Sequence, residues 1–271
     1  MKKQCLVAAA LAGALGVTNA AAQSSSQPGD WRFSLTPYLW FPTVKGTAQF
    51  SLPSGIGGGT ATVEKDADDY LSKLDMAAML TFEARKGAWA IFTDFIYLDF
   101  SKDSASVKTL SGPGGLVQVP VNTGTQVGLE GGVWQLAASY NFSQGKASSP
   151  FEVLGGFRYL KMEPTVDWQL TGSIGAFPQA GSFSQTAELW DAIVGVRGKA
   201  KLDANWFVPW YLDAGAGDSK LTYQAMAGIG YSFKWGDVLL AYRHLSYEQK
   251  DSKPIQELQM SGAALGVTFH F

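Results

Sequence analysis

Apolar and polar residues alternate along most of this chain with a period of two. The segment LTYQAMAGIGYSFKWG at 221–236 shows the pattern best, since Tyr223 and Ile229 fall on one face and Gln224 and Ser232 on the other. Successive side chains of a β-strand point to opposite sides, so this period indicates a strand with one apolar face. The chain is therefore predicted to be all-β.

Segments with this alternation recur along the chain, and most are roughly 10 to 15 residues long. They are WRFSLTPYLWF, DMAAMLTFEARKG, GAWAIFTDFIYLDF, EGGVWQLAASYNF, FEVLGGFRYLKM, LWDAIVGVRGKA, WFVPWYLDAGA, LTYQAMAGIGYSFKWG, VLLAYRHLSYEQ and LQMSGAALGVTFHF. Strands of globular proteins usually have about 5 or 6 residues, whereas tilted strands that cross a membrane need about 9 to 11. The lengths favour membrane-spanning strands.

The connections between these segments alternate between short and mostly longer ones. Short turns are predicted at 86–87, 144–150, 201–205 and 235–237, longer loops at 46–74, 102–128 and 167–187, and shorter loops near 216–220 and 251–257. Short turns at one rim and longer loops at the other are typical of outer-membrane barrels. We therefore predict an antiparallel transmembrane β-barrel of about ten strands, with eight or twelve as alternatives, short periplasmic turns and longer extracellular loops.

Composition argues against a soluble barrel or sandwich. Charged residues make up only 16% of the chain, against about a quarter in soluble domains. A soluble β-sandwich or lipocalin-like barrel turns its polar face to water and carries many Lys and Glu there. Here the polar face is sparse and glycine-rich, while the apolar face is aromatic. Six tryptophans match the two aromatic girdles of a membrane barrel, with Trp31, Trp89, Trp206 and Trp235 near short turns and Trp134 and Trp190 near the opposite ends.

The first residues have the features of an export signal. Lys2 and Lys3 precede an apolar run at 6–17, and Ala20 to Ala22 supply a cleavage site of small residues. We predict a signal peptide at 1–22, a polar tether at 23–30 and a barrel domain at 31–271. The formal net charge of -2 gives no indication of nucleic-acid binding.

The predicted inward face carries charged side chains that need partners. They are Arg32, Glu83, Arg85, Asp94, Arg158, Asp191, Arg197, Asp213, Lys234 and Arg243. An unpaired ion in a narrow lumen costs several kcal/mol, so we expect a network of salt bridges. A barrel of about eight strands is filled by side chains, and ten strands lie near that limit. A polar plug is therefore predicted, with a narrow path lined by the excess of bases as the alternative.

Two histidines restrict the chemistry that the chain can perform. No spacing suitable for a metal site is present, so neither a metal nor another cofactor is predicted. His270 is interpreted as structural. His244 and Ser246 are two residues apart, so both fall on the lipid-facing side of one strand, where a base can reach a hydroxyl. This resembles the His-x-Ser arrangement of outer-membrane phospholipase A and lipid A deacylases, with Glu257 as a loose match for the third group and Tyr247 where those families have Asn.

Several stretches together resemble a group of proteobacterial outer-membrane β-barrel proteins. They are LTPYLWFPTVKGTA, IFTDFIYLDF, YRHLSY and the aromatic Phe271. The plan is similar to small OmpA- and OmpW-like barrels with a TPYLW-type first strand. The resemblance implies a location in the outer membrane of a Gram-negative bacterium, contact with outer-membrane lipids including lipopolysaccharide, and recognition of Phe271 by the barrel assembly machinery.

Three functions follow from the sequence. The first is a non-enzymatic barrel that is structural or interacts with other molecules through its surface. The second is a narrow passive pore or a conduit for hydrophobic solutes. The third is a lipid hydrolase that uses His244 and Ser246. The first is the prediction, and the sequence indicates no ligand or oligomeric state.

Overall fold

The strands of this protein were located in a computed structural model that describes residues 30–51, 58–65, 74–104, 110–111, 118–119, 126–142, 151–169, 180–184, 186–249 and 255–271. The predicted signal peptide and all but the last residue of the predicted tether lie outside these residues. The strands are β1 (Trp31–Ser51), β2 (Gly58–Lys65), β3 (Leu74–Lys86), β4 (Trp89–Ser104), β5 (Leu110–Ser111), β6 (Gln118–Val119), β7 (Gln126–Asn141), β8 (Phe151–Gln169), β9 (Ala180–Ser184), β10 (Ala187–Lys201), β11 (Trp206–Gly217), β12 (Leu221–Ser232), β13 (Gly236–Glu248) and β14 (Ile255–His270). In the described part of the chain, no helix has the length and apolarity needed to cross a membrane.

Ten of these strands form a closed antiparallel barrel, as the sequence predicted. They pair in the order β1, β3, β4, β7, β8, β10, β11, β12, β13 and β14, and β14 pairs with β1 to complete the ring. Near the closure, Phe33 and Phe271 exchange two backbone hydrogen bonds of 2.8 and 3.0 Å. Closure gives every barrel strand a partner on both sides, which a lipid environment requires because no water is present to bond a free edge.

Two barrel strands continue beyond the segments that the sequence predicted. Residues 44–51 of β1 pair with β2, and residues 165–169 of β8 pair with β9. The strands β5 and β6 form a separate small hairpin. The loops predicted at 46–74, 102–128 and 167–187 are therefore partly sheet.

Outward side chains are apolar and exposed, and their strand neighbours that point inward are buried. Val194 is 70% exposed and Tyr242 is 59% exposed, whereas the adjacent Ile193 is 1% and Arg243 is 4% exposed. The same alternation runs along the other barrel strands. This is the reverse of a soluble barrel, because the outside is apolar and the inside holds charge.

The rim with short connections is called the turn end. Its tight turns depend on a glycine conformation and on hydrogen bonds from the backbone to a side chain. Gly87 begins the short connection between β3 and β4 with a φ of 59°, a left-handed conformation that glycine adopts at no steric cost. In the turn before β11, the backbone N–H groups of Asn205 and Trp206 each donate to Asp203 at 2.8 Å, which lowers the pKa of that carboxyl. The opposite rim is called the loop end.

The turn end also carries exposed tryptophans. Trp31, Trp89, Trp206 and Trp235 are each at least 42% exposed. Trp190, on the outward face nearer the loop end, is 49% exposed and packs against Tyr159 with ring centroids 4.5 Å apart. These positions match two aromatic girdles.

Side chains fill the interior toward the loop end with an apolar core. Its buried members are Trp40, Met79, Ile96, Leu98, Val133, Leu160, Met162, Leu189, Leu245, Tyr247, Leu258, Met260 and Ala264. Leu245 and Tyr247 are both 0% exposed. Within the described residues, neither of these two side chains contacts solvent.

The exposed apolar belt yields a test of the membrane orientation. Leu212 lies in the middle of β11 and Leu221 begins β12 at the loop end, and both point outward. We expect Leu212→Arg to lower the free energy of unfolding by about 2–4 kcal/mol and Leu221→Arg by about 0–1 kcal/mol, because the cost of arginine depends on depth in the bilayer. Denaturant unfolding in lipid vesicles measures both. Equal losses for the two variants would contradict the orientation.

Candidate functional site

The interior toward the turn end holds a ring of two carboxylates and two guanidinium groups. Arg85 lies 2.9 Å from Glu83 and 2.6 Å from Glu152. Arg197 lies 2.7 Å from Glu83 and 2.8 Å from Glu152. The hydroxyl of Ser139 donates to Glu152 at 2.7 Å. Each charge therefore has two partners of opposite sign, and the ring, which we call the lower ring, is neutral as a whole.

A second network lies deeper and is centred on Arg158, whose side chain is 0% exposed. Its guanidinium donates to the carboxylate of Asp213, to Gln135 at 2.9 Å and to Thr222 at 3.0 Å. The amide of Gln135 in turn donates to the hydroxyl of Tyr211 at 2.7 Å. These bonds offset the desolvation of a charge that has no access to water.

A third network is centred on Arg243. Its guanidinium donates to Asp94 at 2.8 Å, to Gln224 at 2.7 Å and to the hydroxyl of Tyr38 at 2.9 Å. The hydroxyls of Tyr38 and Thr81 donate to the other oxygen of Asp94 at 2.8 and 2.7 Å. The network joins strands from opposite sides of the closure, since Tyr38 belongs to β1 and Arg243 to β13.

The remaining predicted inward charges do not join these networks. Asp191 is buried and accepts from the backbone and hydroxyl of Ser219 at 2.8 and 2.7 Å, so it holds the connection between β11 and β12. Arg32 is exposed at the start of β1, and Lys234 is exposed in the turn after β12. Both lie near the turn end of the barrel.

The interior holds more carboxylates and fewer bases than the sequence predicted. The predicted set omitted Glu152, although the residue alternates inward in the sequence as in the structure. The three networks and Asp191 together contain the carboxylates of Glu83, Asp94, Glu152, Asp191 and Asp213 and the guanidinium groups of Arg85, Arg158, Arg197 and Arg243. Among these side chains, the excess of bases that was predicted to line a narrow path is absent.

His270 lies at the turn end beside another ion pair. Its Nε2 is 3.2 Å from Asp237, and the ammonium of Lys199 is 3.0 Å from the same carboxylate oxygen. His270 is therefore held by a carboxylate rather than by a group that it could activate. Phe271 beside it is 67% exposed and stacks on Phe33 at 6.4 Å.

The outward face near the loop end brings together a histidine, a serine and a tyrosine from three neighbouring strands. His244 Nδ1 lies 2.5 Å from Ser261 Oγ, and His244 Nε2 lies 3.3 Å from the hydroxyl of Tyr223. His244 and Ser261 are direct partners in the register of β13 and β14. All three side chains are partly buried.

The predicted partners of His244 lie elsewhere. Ser246 is 0% exposed, and its hydroxyl has no hydrogen-bond partner. Glu257 is exposed and accepts from Gln259 at 2.5 Å. The structure therefore assembles no chain of bonds from His244 to Ser246 and Glu257. No group of three or more His, Cys, Asp or Glu side chains suited to a metal ion occurs among the residues that the structure describes.

The buried pair of Arg158 and Asp213 yields a second test. We expect Arg158→Met to lower the free energy of unfolding by about 3–5 kcal/mol, because it leaves the Asp213 carboxylate buried without its charge partner. The double variant with Asp213→Asn should recover part of this loss, since no buried charge remains.

Denaturant unfolding in vesicles measures these changes. Arg32→Met removes the same side chain from an exposed position and should change stability by no more than about 0.5 kcal/mol. A loss for Arg158→Met as small as that of the control would contradict the network.

Comparison with known proteins identifies the type of fold. No protein-family model matches the sequence, and no curated protein matches it significantly. The structure is similar to the outer membrane protease OmpT from Escherichia coli, with a TM-score of 0.50 and 9% identity over 92% of this chain and 99% of that chain.

Two further solved structures have lower TM-scores. The translocator domain of the autotransporter NalP from Neisseria meningitidis has a TM-score of 0.38 and 14% identity over 97% of this chain and 96% of that chain. The outer membrane protein OprG from Pseudomonas aeruginosa has a TM-score of 0.33 and 9% identity over 90% and 97%. The similarity to OmpT and the ring of ten antiparallel strands show that the chain has the fold of a small outer-membrane β-barrel.

Proposed function

We propose that this protein is a non-conducting barrel of the Gram-negative outer membrane that acts through its outer surface rather than through its lumen. The observation that carries the proposal is the filled interior. Arg158, Leu245 and Tyr247 are each 0% exposed, although they belong to the networks and the core inside the barrel. A solute path would need water beside at least some of these groups.

Two layers of different chemistry oppose the passage of solutes. Ions that enter from the turn end meet the lower ring, whose four charges already neutralise one another. Beyond it, the side chains of the core around Trp40 and Tyr247 carry no charge that could replace the water of a hydrated ion. A hydrated ion would have to lose water without compensation, which costs many kcal/mol.

The apolar outer belt supports a location in a bilayer, and the barrel type supports the outer membrane. Barrels of this type with cleaved signals reach that membrane through the periplasm, in keeping with the export signal predicted at 1–22. The partners proposed for the outer surface are outer-membrane lipids, including lipopolysaccharide. The assembly machinery of outer-membrane barrels is the partner proposed for the aromatic Phe271.

Conductance in planar bilayers tests the proposal. We expect the purified protein to give no reproducible current steps, because side chains fill the barrel interior. The double variant Trp40→Ala and Tyr247→Ala removes two large side chains from the apolar core and should give steps or a raised background current. Heat-dependent migration on a denaturing gel confirms that each sample is a folded barrel. Steady current steps from the unmodified protein would refute the proposal.

A further inference from the structure

We propose that His244 and Ser261 form a nucleophilic dyad on the membrane-facing surface, which cleaves long-chain carboxylic esters of membrane lipids. The dyad joins β13 to β14 at directly opposed positions, and its Nδ1–Oγ distance is 2.5 Å. A base within hydrogen-bond reach of a hydroxyl is the arrangement that activates a serine. Sequence spacing points to Ser246 instead, whose hydroxyl is buried.

The two contacts of the imidazole allow the proton arrangement that this chemistry needs. In the proposed resting state, the hydroxyl of Ser261 donates to His244 Nδ1 at 2.5 Å and His244 Nε2–H donates to the oxygen of Tyr223 at 3.3 Å. This tautomer directs the lone pair of Nδ1 at the nucleophile. Tyr223 also packs against the imidazole with ring centroids 5.3 Å apart, so it acts as a positioning residue.

The position of the dyad matches the depth of lipid esters. On the outward face of β13, Leu240 and Tyr242 lie below His244 and are 55% and 59% exposed. Glu248 follows above it on the same strand, and Glu257 lies on the same side of β14. The dyad therefore sits where the apolar belt ends, and the acyl esters of lipids lie at this boundary between hydrocarbon and headgroup.

The surface beside the dyad suits an acyl chain. His244 is paired with Ala225 on the side of β12, and Tyr242 is paired with Ala227 on one side and Ala263 on the other. These small side chains leave room beside Tyr242 and His244 on the apolar face that runs from the middle of the belt up to Ser261. A chain that lies on this surface brings its carbonyl carbon near the serine oxygen.

The proposed reaction has two steps, acylation of Ser261 and hydrolysis of the acyl-enzyme. Ser261 Oγ attacks the carbonyl carbon while its proton passes to His244 Nδ1, and the ester C–O bond breaks as that proton passes to the leaving alcohol. A water molecule then gives a proton to the same nitrogen and attacks the acyl carbon. The bond between this carbon and Ser261 Oγ breaks, the fatty acid leaves, and the proton passes from His244 back to Oγ. Because a neutral tyrosine oxygen stands where hydrolases with a full triad have a carboxylate, we expect turnover about 10³–10⁴-fold slower than in such enzymes.

Labelling with a long-chain fluorophosphonate in detergent tests the dyad directly. We expect one modified residue, Ser261, identified by mass spectrometry of the peptides. His244→Asn should slow labelling by about 10²-fold or more, because the general base is lost. Ser261→Ala should abolish it, and Ser246→Ala should leave it unchanged since that hydroxyl bonds to nothing. The gel shift on heating confirms that each variant is folded.

Absence of labelling, labelling at another serine, or equal labelling of His244→Asn would overturn the proposal. The proposed dyad depends on the membrane orientation given above. Labelling in detergent does not depend on conductance, so a negative labelling result leaves the proposal of a non-conducting barrel intact, and current steps leave the dyad intact. Release of fatty acid from phosphatidylglycerol vesicles or from purified lipopolysaccharide then distinguishes the two ester sources. Release from neither substrate by a protein that labels at Ser261 would overturn the part of the proposal that names membrane lipids.

Discussion

The pairing of β14 with β1 is the constraint on which the rest of this structure depends. A strand edge in lipid leaves backbone N–H and C=O groups without partners, and each such group costs several kcal/mol. The ring therefore has to close, and the register from Ser34 with His270 to Ala48 with Ile255 closes it. Closure with ten strands fixes a lumen only slightly wider than the one that side chains fill in an eight-stranded barrel.

A lumen of that width determines what its charged groups can do. Carboxylates and guanidinium groups that point inward cannot retreat into water, so they have to satisfy one another. The lower ring does this with two groups of each sign, and Arg158 and Arg243 do it with one carboxylate each plus neutral oxygens. The apolar core then occupies the remaining height. Closure of the sheet therefore leads to an interior in which the charged groups of the three networks bond to one another.

Sequence reasoning located the barrel strands because lipid on one side and packed interior on the other enforce a period of two. It missed the extensions of β1 and β8, since sheet beyond the membrane faces water on the outside and loses the apolar repeat. It also named Ser246 as the partner of His244, whereas the hydroxyl within hydrogen-bond distance in the structure is that of Ser261. Residues two apart on a strand are separated by about 6.6 Å, whereas directly opposed residues on paired strands are about 4.5–5.5 Å apart. Ser261 is the opposed residue, and register with a distant strand cannot be read from local spacing.

Polar groups on the outer surface of such a barrel are restricted to the edges of the apolar belt, where they have to satisfy one another. Many arrangements meet that demand, and a pair of hydroxyls would suffice. The cluster of Tyr223, His244 and Ser261 meets it with one imidazole nitrogen at the serine hydroxyl and the other at the tyrosine hydroxyl. The bonds that make the cluster compatible with lipid are thus also the bonds that would activate a nucleophile. The proposed dyad lies on this surface, apart from the interior networks whose charged groups already bond to one another.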